Sequence, residues 1–223
     1  YIRARGTTLG ADNGTAVAIM LYILDGAEGY IKSHPTIECL FTSAEEKGLV
    51  GAGAFDYSLV TATRMINMDS ADESEIIVGC AGGQRSEMIL DTTVEQTELP
   101  ALKIGVRGLF GGHSGEDINK SRANANKLLG RALNILMKES ELQLVSFFGG
   151  SKDNAITRES EAVIACADIE KMISMCKIIG EGIRSELSDD DKDFELYAEA
   201  LSAESRAVFS KKDTENLISF LAD

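Results

Sequence analysis

The chain has 223 residues, of which 44% are hydrophobic, and its formal net charge is −14 at pH 7. This length accommodates one large or two small domains with hydrophobic cores, and the acidic excess argues against a nucleic-acid partner. The longest apolar stretches, such as residues 16–24, are far shorter than the about 20 residues of a membrane-spanning helix. We therefore expect a soluble, cytoplasmic protein that has no membrane partner.

Helices and fully apolar strands alternate in the first 75 residues. Such alternation is typical of a parallel sheet whose strands are connected by crossover helices, which predicts an α/β fold for this part of the chain. The predicted elements are helix Gly14–Leu24, strand Thr36–Phe41, a short helix Val50–Phe55 and strand Met65–Met68.

Acidic side chains follow both predicted strands, and another precedes the first helix. Glu45 and Glu46 come after the first strand, Asp69 ends the second, and Asp12 lies in a glycine-flanked loop. Sites in open α/β sheets form at the carboxyl ends of strands, so these carboxylates could together hold two divalent cations, with one aspartate shared. Singly, Asp12 is also typical of a helix N-cap, Asp69 of a turn, and the glutamate pair of a solvated strand end.

The adjacent carboxylates Glu45 and Glu46 are suited to two different tasks. Neighbouring side chains at a strand end point in different directions, so one carboxylate can bind a metal ion while the other faces the metal-bound water. Hydrolysis at neutral pH needs both a Lewis acid and a base that takes the proton of the water. The pair therefore indicates metal-assisted hydrolysis.

Two predicted strands follow residue 75, and from Ala101 to Ala200 the predicted elements have the order β-α-β-β-α-β of the ferredoxin-like split unit. We expect two domains, residues 1–75 and residues 76–223. Asp168 is the predicted N-cap of the second helix of the unit. The predicted strands are Glu75–Cys80, Glu87–Leu90, Ala101–Leu109, Leu142–Phe148, Ala155–Cys166 and Phe194–Ala200, and the helices are Asn119–Lys138, Asp168–Leu187 and Thr214–Leu221.

The glycine-rich loop Gly111–Gly115 contains His113 and links a predicted strand to a helix. Such turns often need only the backbone freedom of glycine, and they can also hold phosphate at a helix N-terminus. The chain has neither the dinucleotide-binding pattern nor the lysine of a P-loop, so the pattern gives little support to a nucleotide site. Further along, Arg158 is suited to bidentate binding of a free carboxylate or, equally, to a surface ion pair.

The four cysteines lie within apolar or helical runs and show no paired spacing. This pattern predicts reduced core thiols rather than disulfides or metal ligands. The residues are Cys39, Cys80, Cys166 and Cys176.

Four motifs resemble, in order and spacing, those of the dinuclear zinc exopeptidases, the family that includes carboxypeptidase G, aminoacylase and the carnosinases. The aminoacyl-histidine (Xaa-His) dipeptidases are the subgroup that the chain resembles most. The motifs are Gly10-Ala11-Asp12-Asn13-Gly14, Ser43-Ala44-Glu45-Glu46-Lys47-Gly48, Asn67-Met68-Asp69 and Gly111-Gly112-His113-Ser114-Gly115, and the subgroup resemblance also rests on residues 109–129 and 149–156.

The resemblance implies a part of a zinc-exopeptidase catalytic α/β domain, followed by a ferredoxin-like α+β lid that often forms a dimer. It implies two divalent metal ions, with zinc preferred over manganese or cobalt. Asp12 would bridge them, Glu46 would bind one and Asp69 the other. Glu45 would be the general base, and the Asp12–Asn13 peptide bond would be cis.

The lid residues also receive roles from the resemblance. His113 would polarise the scissile carbonyl and stabilise the oxyanion, and Asn154 and Arg158 would bind the substrate. The implied activity is metal-dependent hydrolysis of small peptides such as Xaa-His dipeptides. An aminoacylase- or carboxypeptidase-type amidohydrolase, or a non-catalytic self-association module, are the alternatives.

The chain departs from the family in its histidines. The family uses two histidines as metal ligands, whereas this chain contains only His34 and His113. His113 belongs to the lid motif, and His34 lies in a polar loop where we expect it to be solvated. A site of carboxylates alone would be unusual for zinc. We therefore expect the chain to be the middle of a longer enzyme and to be inactive by itself.

Overall fold

A computed structural model of the chain describes residues 3–7, 9–26, 29, 32–70, 74–79, 82, 84, 86–202 and 204–222. The chain divides into two units, residues 1–85 and residues 86–223. The domain boundary predicted after residue 75 stays a prediction. The mixture of helix and sheet predicted from the sequence is confirmed, and the elements of each unit are described in turn.

Unit 1 contains the two predicted helices, α1 (Ala11–Leu24) and α2 (Val50–Ala54). The regular part of α1 begins after Asn13, because Asp12 and Asn13 have non-helical dihedral angles. The Asn13 Oδ1 atom accepts a hydrogen bond from Ala16 N at 3.0 Å, which is the geometry of an N-cap. The capping oxygen therefore comes from Asn13 and not from Asp12.

The two strands predicted in unit 1 do not match the structure, since residues 36–41 and 65–68 are not strands. An apolar strand of a parallel sheet is stable only when flanking strands complete its hydrogen bonds and helices cover its faces. Neither condition is met in the described part of unit 1, where Ile66 is 87% exposed. Instead, both oxygens of the Glu38 carboxylate accept hydrogen bonds from Thr61 N, and Oε2 also accepts one from Ala62 N. Each of these three distances is 3.1 Å.

The two predicted strands around residue 82 also differ from the structure. Residues 75–79 and 87–90 are not strands, and Val78 is 97% exposed. Cys80 lies outside the described residues. The physical reason is the same: β-prone apolar sequence forms a strand only beside a partner.

Unit 2 has the predicted ferredoxin-like architecture. Its main sheet has the strand order β4-β6-β2-β7, and all three pairings are antiparallel. A two-stranded sheet of β1 and β8 and the helix α5 are added to this unit. The elements are β1 (Val94–Thr97), β2 (Ala101–Arg107), β3 (Gly112–His113), α3 (Ala125–Glu139), β4 (Leu142–Gly149), β5 (Ala155–Ile156), β6 (Ser160–Cys166), α4 (Ile169–Arg184), β7 (Glu195–Ala200), β8 (Arg206–Phe209) and α5 (Lys211–Ala222).

The core of unit 2 lies between the sheet and the apolar faces of α3 and α4. Leu129, Leu133 and Leu136 follow one another at helical spacing on α3 and are fully buried. The predicted cap of α4 is confirmed, because the Asp168 side chain accepts a hydrogen bond from Lys171 N at 2.9 Å. The start of α4 thus follows from a local sequence signal, whereas α3 begins at Ala125 and not at the predicted Asn119.

The cysteines of this core are free thiols. Cys166 and Cys176 are buried, and burial raises the pKa of each to about 11. Cys39 in unit 1 is free and half-buried. Within the described residues, no helix is both long and apolar enough to span a membrane.

Truncating Leu133 tests the packing of this core. Leu133→Ala is expected to lower the free energy of unfolding by about 2–5 kcal/mol, because the substitution leaves a cavity in a close-packed region. Urea unfolding followed by circular dichroism measures the loss. Lys127→Ala, at an exposed position of the same helix, is the control and is expected to change stability little. An equal effect of both substitutions would contradict the burial of this face.

Candidate active site

The Asp12 loop is connected to the segment that ends in Asp69. The Asp12–Asn13 peptide bond is cis, as the family resemblance implies. The Asn13 side-chain amide donates hydrogen bonds to Met68 O at 3.0 Å and to Asp69 Oδ1 at 3.3 Å. Asn13 was not a predicted site residue, although it stands in the same motif as Asp12. The Asn13 amide is therefore the link between two of the three predicted metal-binding segments.

Glu45 and Glu46 lie on an exposed 3-10 turn, Glu45–Lys47. The turn is bounded by Ala44 and Gly48, which have positive φ angles of 56° and 93°. The Glu45 carbonyl accepts hydrogen bonds from Gly48 N at 2.9 Å and Leu49 N at 2.8 Å. The backbone is thus held by its own hydrogen bonds, while both carboxylates are presented to solvent.

The predicted metal ligands do not form a complete metal centre within the described residues. No group of three or more His, Cys, Asp or Glu side chains in that part of the chain is arranged to hold a metal ion. Asp12, Glu46 and Asp69 are all exposed and offer only oxygen, whereas zinc prefers nitrogen and sulfur donors alongside oxygen. His34 is exposed as expected, with Nδ1 2.7 Å from Pro35 O. The described residues therefore do not fit a zinc site by themselves.

His113 lies in a short ribbon of unit 2. Strand β3 pairs antiparallel with β5, so that His113 is opposite Ala155. The His113 Nδ1 atom accepts hydrogen bonds from the backbone N–H groups of Gly115 at 3.1 Å and Glu116 at 3.2 Å. Because Nδ1 acts as an acceptor, the neutral imidazole carries its proton on Nε2. The ring therefore presents Nε2–H as a donor.

Asp117 connects the His113 loop to two cations. Its carboxylate accepts a hydrogen bond from His113 N at 2.7 Å, and it pairs with Lys120 at 2.7 Å and with Arg122 at 3.1 Å. Arg122 also donates to Gly111 O at 2.9 Å. The hydrogen bond from Lys120, the backbone N–H of His113 and the charge of Arg122 lower the pKa of Asp117 to about 2.

The low pKa of Asp117 predicts a pH-dependent contribution to stability. An aspartate of the unfolded chain has a pKa of about 3.9. Because the folded-state pKa is lower, the contribution is fully present above the unfolded pKa and is lost as the pH falls toward about 2. We expect the difference in unfolding free energy between wild type and Asp117→Asn to shrink from about pH 5 to about pH 2.

Urea unfolding at each pH measures this difference. The control is Asp189→Asn, which removes an exposed carboxylate from the nearby turn Asp189–Asp191. It shows how the loss of a carboxylate outside the loop changes the free energy of unfolding. A wild-type advantage over Asp117→Asn that persists undiminished at the lowest pH would show that the Asp117 carboxylate does not form these contacts.

The two predicted substrate-binding residues lie on the same ribbon as His113. Ser114 N donates to Asn154 O at 2.9 Å, and Arg158 Nε donates to Leu109 O at 3.1 Å. The stem of Arg158 also packs on Gly111, where an added Cβ would lie 2.3 Å from Arg158 Cγ. The ribbon therefore brings His113 close to Asn154 and Arg158, which follow it by more than 40 residues along the chain.

A polar cleft adjoins the ribbon. It has a volume of about 450 Å³ and is lined by Asn126, Thr157 and the loop that contains Lys152. A second cleft of about 370 Å³ shares part of this lining and includes Arg158. Lys152 and Asn126 lie in the segments 149–156 and 109–129 that resemble the family, but neither was predicted as a site residue.

Two further residues at the site were also missed, Asp117 and Arg122. The signal that was available is the spacing, since an acidic residue four positions after His113 can close a turn back on it. The spacing alone does not distinguish that arrangement from a solvated loop, and only the observed contacts do so.

Two family models match the chain. The model of the peptidase dimerisation domain matches residues 104–177, which include the ribbon, and that of peptidase family M28 matches residues 5–104.

Individual relatives match over nearly the whole chain. The chain is 37% identical over 219 residues to the cytosol non-specific dipeptidase of Escherichia coli, covering 96% of this chain and 44% of that protein. The crystal structure of aminoacylhistidine dipeptidase from Vibrio alginolyticus superposes with a TM-score of 0.71 at 33% identity, covering 100% of this chain and 46% of that one. The chain thus spans a little less than half the length of these two relatives.

Proposed function

We propose that this chain acts in the metal-dependent hydrolysis of dipeptides. The proposal rests on its homology to the cytosol non-specific dipeptidase of Escherichia coli and the aminoacylhistidine dipeptidase of Vibrio alginolyticus. The substrates are small peptides of the Xaa-His type. The observation that carries the proposal is the His113 loop. This loop lies within the segment that matches the peptidase dimerisation domain, and it leaves Nε2–H as the donor of the ring.

In this proposal, His113 donates a hydrogen bond to the carbonyl oxygen of the bond that is cleaved. In amide hydrolysis, negative charge develops on the carbonyl oxygen, and a fixed N–H donor stabilises that charge more in the transition state than in the substrate. The His113 Nε2–H group is a donor of this kind. Asn154 and Arg158, on the same ribbon, bind polar groups of the substrate, and the Arg158 guanidinium is suited to a substrate carboxylate.

Glu45 is the general base. It takes a proton from the attacking water and later delivers it to the leaving amine. Its position on an exposed turn, with the backbone already hydrogen-bonded, leaves the carboxylate available for this role.

The proposed cofactors are two divalent metal ions, with zinc preferred over manganese or cobalt. When bound, such ions act as Lewis acids and make bound water acidic. Asp12, Glu46 and Asp69 supply oxygen ligands, but the described residues do not complete the site. We therefore propose that the 223 residues alone do not hydrolyse dipeptides and that nitrogen ligands from outside this sequence are required.

A second candidate function is self-association. The match of residues 104–177 to the peptidase dimerisation domain favours it, and it is compatible with the first as a homodimer formed through unit 2. Within the enzyme class, an aminoacylase- or carboxypeptidase-type amidohydrolase is the alternative to a dipeptidase.

The proposed function is tested by comparing two proteins. One is the 223-residue chain; the other is a chimera in which this chain replaces the homologous segment of the Escherichia coli dipeptidase. Xaa-His hydrolysis is assayed in both while zinc binding is measured by calorimetry. We expect tight zinc binding and turnover in the chimera and neither in the chain alone.

The outcomes separate the hypotheses. Tight binding of two zinc ions with turnover by the chain alone would overturn the proposed need for outside ligands. A folded chimera that binds zinc but cleaves only N-acyl amino acids would favour the amidohydrolase alternative. A folded chimera that cleaves neither substrate, together with a dimeric chain in sedimentation analysis, would favour the self-association module.

A further inference from the structure

We infer that Asp117 and Arg122 act as a pair that positions His113 and commits its ring to the tautomer with the proton on Nε2. The inference rests on the proposed function, because it takes from there the role of His113 as a hydrogen-bond donor to the substrate. It adds two residues to which the sequence analysis assigned no role.

Asp117 holds both ends of the His113 main chain. Its Oδ2 atom accepts from His113 N at 2.7 Å, and its own N–H donates to His113 O at 3.0 Å. These two hydrogen bonds close residues 113–117 into a tight turn. The turn directs the N–H groups of Gly115 and Glu116 at the Nδ1 atom of the His113 ring. The carboxylate therefore acts on the ring through the backbone, without touching it.

Arg122 holds the loop on the other side of His113. Its Nη1 atom donates to Gly111 O at 2.9 Å and lies 3.1 Å from Asp117 Oδ2. The side chain is only 11% exposed, and its guanidinium lies 4.4 Å from the centre of the Phe110 ring. A partly buried cation with a carboxylate partner and a stacked ring has little freedom to move. Arg122 thus fixes Gly111 and Asp117, which flank His113.

Gly112 shows how closely the pair contacts the loop. A Cβ atom added at Gly112 would lie 2.4 Å from Arg122 Nη1 and 2.6 Å from Asp117 Oδ2. The φ angle of Gly112 is 153°, which side chains rarely adopt. The absence of a side chain at this position lets the ion pair lie directly against the main chain before His113.

The base of the loop is held independently of this pair. The buried Asp191 accepts hydrogen bonds from Phe110 N and Ala123 N, both at 2.9 Å. Because Asp191 fixes the two ends of the segment, removal of the Asp117 carboxylate is expected to release the turn around His113 and not to unfold the unit.

A purely structural role of Asp117 is the competing explanation. It predicts a loss of stability in Asp117 variants with no change in the His113 ring. The positioning role predicts a change in the proton distribution between the two ring nitrogens. A measurement of the tautomer therefore distinguishes the two explanations.

The tautomer is measured by two-bond ¹H–¹⁵N correlation spectra of the ¹⁵N-labelled 223-residue chain. The chain contains two histidines, so His34→Gln assigns the signals of His113. Spectra are recorded at about pH 9, above the usual titration range of imidazole. We expect wild type to show the proton on Nε2, and Asp117→Ala to show it distributed over both nitrogens. Asp117→Asn, which keeps an oxygen acceptor, is expected to lie between them, and Asp189→Asn is the matched control.

Several outcomes would overturn the inference. A wild-type ring with the proton on Nδ1 or on both nitrogens is one, and a wild-type pattern in folded Asp117→Ala is another. If the amide spectrum shows that Asp117→Ala is unfolded, the same measurement is made on Arg122→Gln. A mixture of the two tautomers of His113 in that variant supports the positioning role of the pair, and an unchanged tautomer excludes it.

Activity of the chimera provides a second readout. Asp117→Ala is expected to lower kcat by about 10–100-fold, because small displacements of a reacting group cost factors of this size. KM is expected to change by less than about threefold, since ground-state binding is preserved. An unchanged kcat beside an altered tautomer would exclude the positioning role. An inactive chimera with the expected tautomers would count against the proposed function alone.

Discussion

Glu45→Gln in the chimera is expected to lower kcat for Xaa-His hydrolysis by about 10²–10⁴-fold, the usual contribution of a general base. Glutamine has nearly the same size as glutamate but cannot accept the proton of the attacking water. KM is expected to change little, because the substitution removes a role that is realised only in the transition state. Steady-state kinetics with a dipeptide substrate measure both constants.

The control for Glu45→Gln is Glu75→Gln, which removes an exposed carboxylate of unit 1 that has no proposed role. Zinc binding of the Glu45→Gln chimera is measured in parallel and is expected to be retained, since Glu46 is the proposed ligand. Activity within about threefold of the parent would exclude Glu45 as the base. A joint loss of activity and zinc binding would instead assign Glu45 to the metal.

His113→Gln is expected to lower kcat of the chimera by about 10²–10³-fold, the cost of removing one donor to a developing oxyanion. The reason is specific to the structure. The Nδ1 atom of His113 is occupied by the backbone of residues 115 and 116, so Nε2–H is the donor that remains for a substrate. A glutamine side chain cannot accept both backbone bonds and still present a donor at the same position.

His34→Gln is the matched control, because it removes the other histidine of the chain from an exposed loop and is expected to leave kcat unchanged. Urea unfolding shows whether His113→Gln also destabilises unit 2. A loss of activity caused only by unfolding, or an unchanged kcat in the folded variant, would remove His113 from the mechanism.

Local patterns in the sequence predicted much of unit 2. The split order of strands and helices, the cap at Asp168 and the apolar face of α3 are set by residues within a few positions of one another. They were therefore readable without knowledge of the fold. The same patterns failed for residues 36–41 and 65–68, because β-branched and apolar composition describes only what a strand needs, whereas its formation depends on a partner elsewhere.

The candidate site divides in the same way. The motifs located Asp12, Glu45, Glu46 and Asp69, and the resemblance implied the cis bond after Asp12, which the structure contains. The motifs did not indicate that Asn13 bonds to Met68 and Asp69 across 55 and 56 residues. The roles of the predicted site residues in metal binding, general-base catalysis and substrate binding stay predictions, which the assays of the chimera test.

The sequence by itself determined which chemical groups are present and in what order: the acidic residues, the histidine in its glycine-rich loop, and two histidines in all. Only the tertiary structure decided how they are arranged. The pairing of β3 with β5 brought Asn154 beside the His113 loop, and Asp117 and Arg122 closed that loop around the ring. The contact of Ser114 with Asn154 joins segments that are distant along the chain, and it forms only after the core has offset the entropy of closing the intervening loop. The contacts of Asp117 and Arg122 are local in sequence, but they depend on the side-chain geometry of the folded loop.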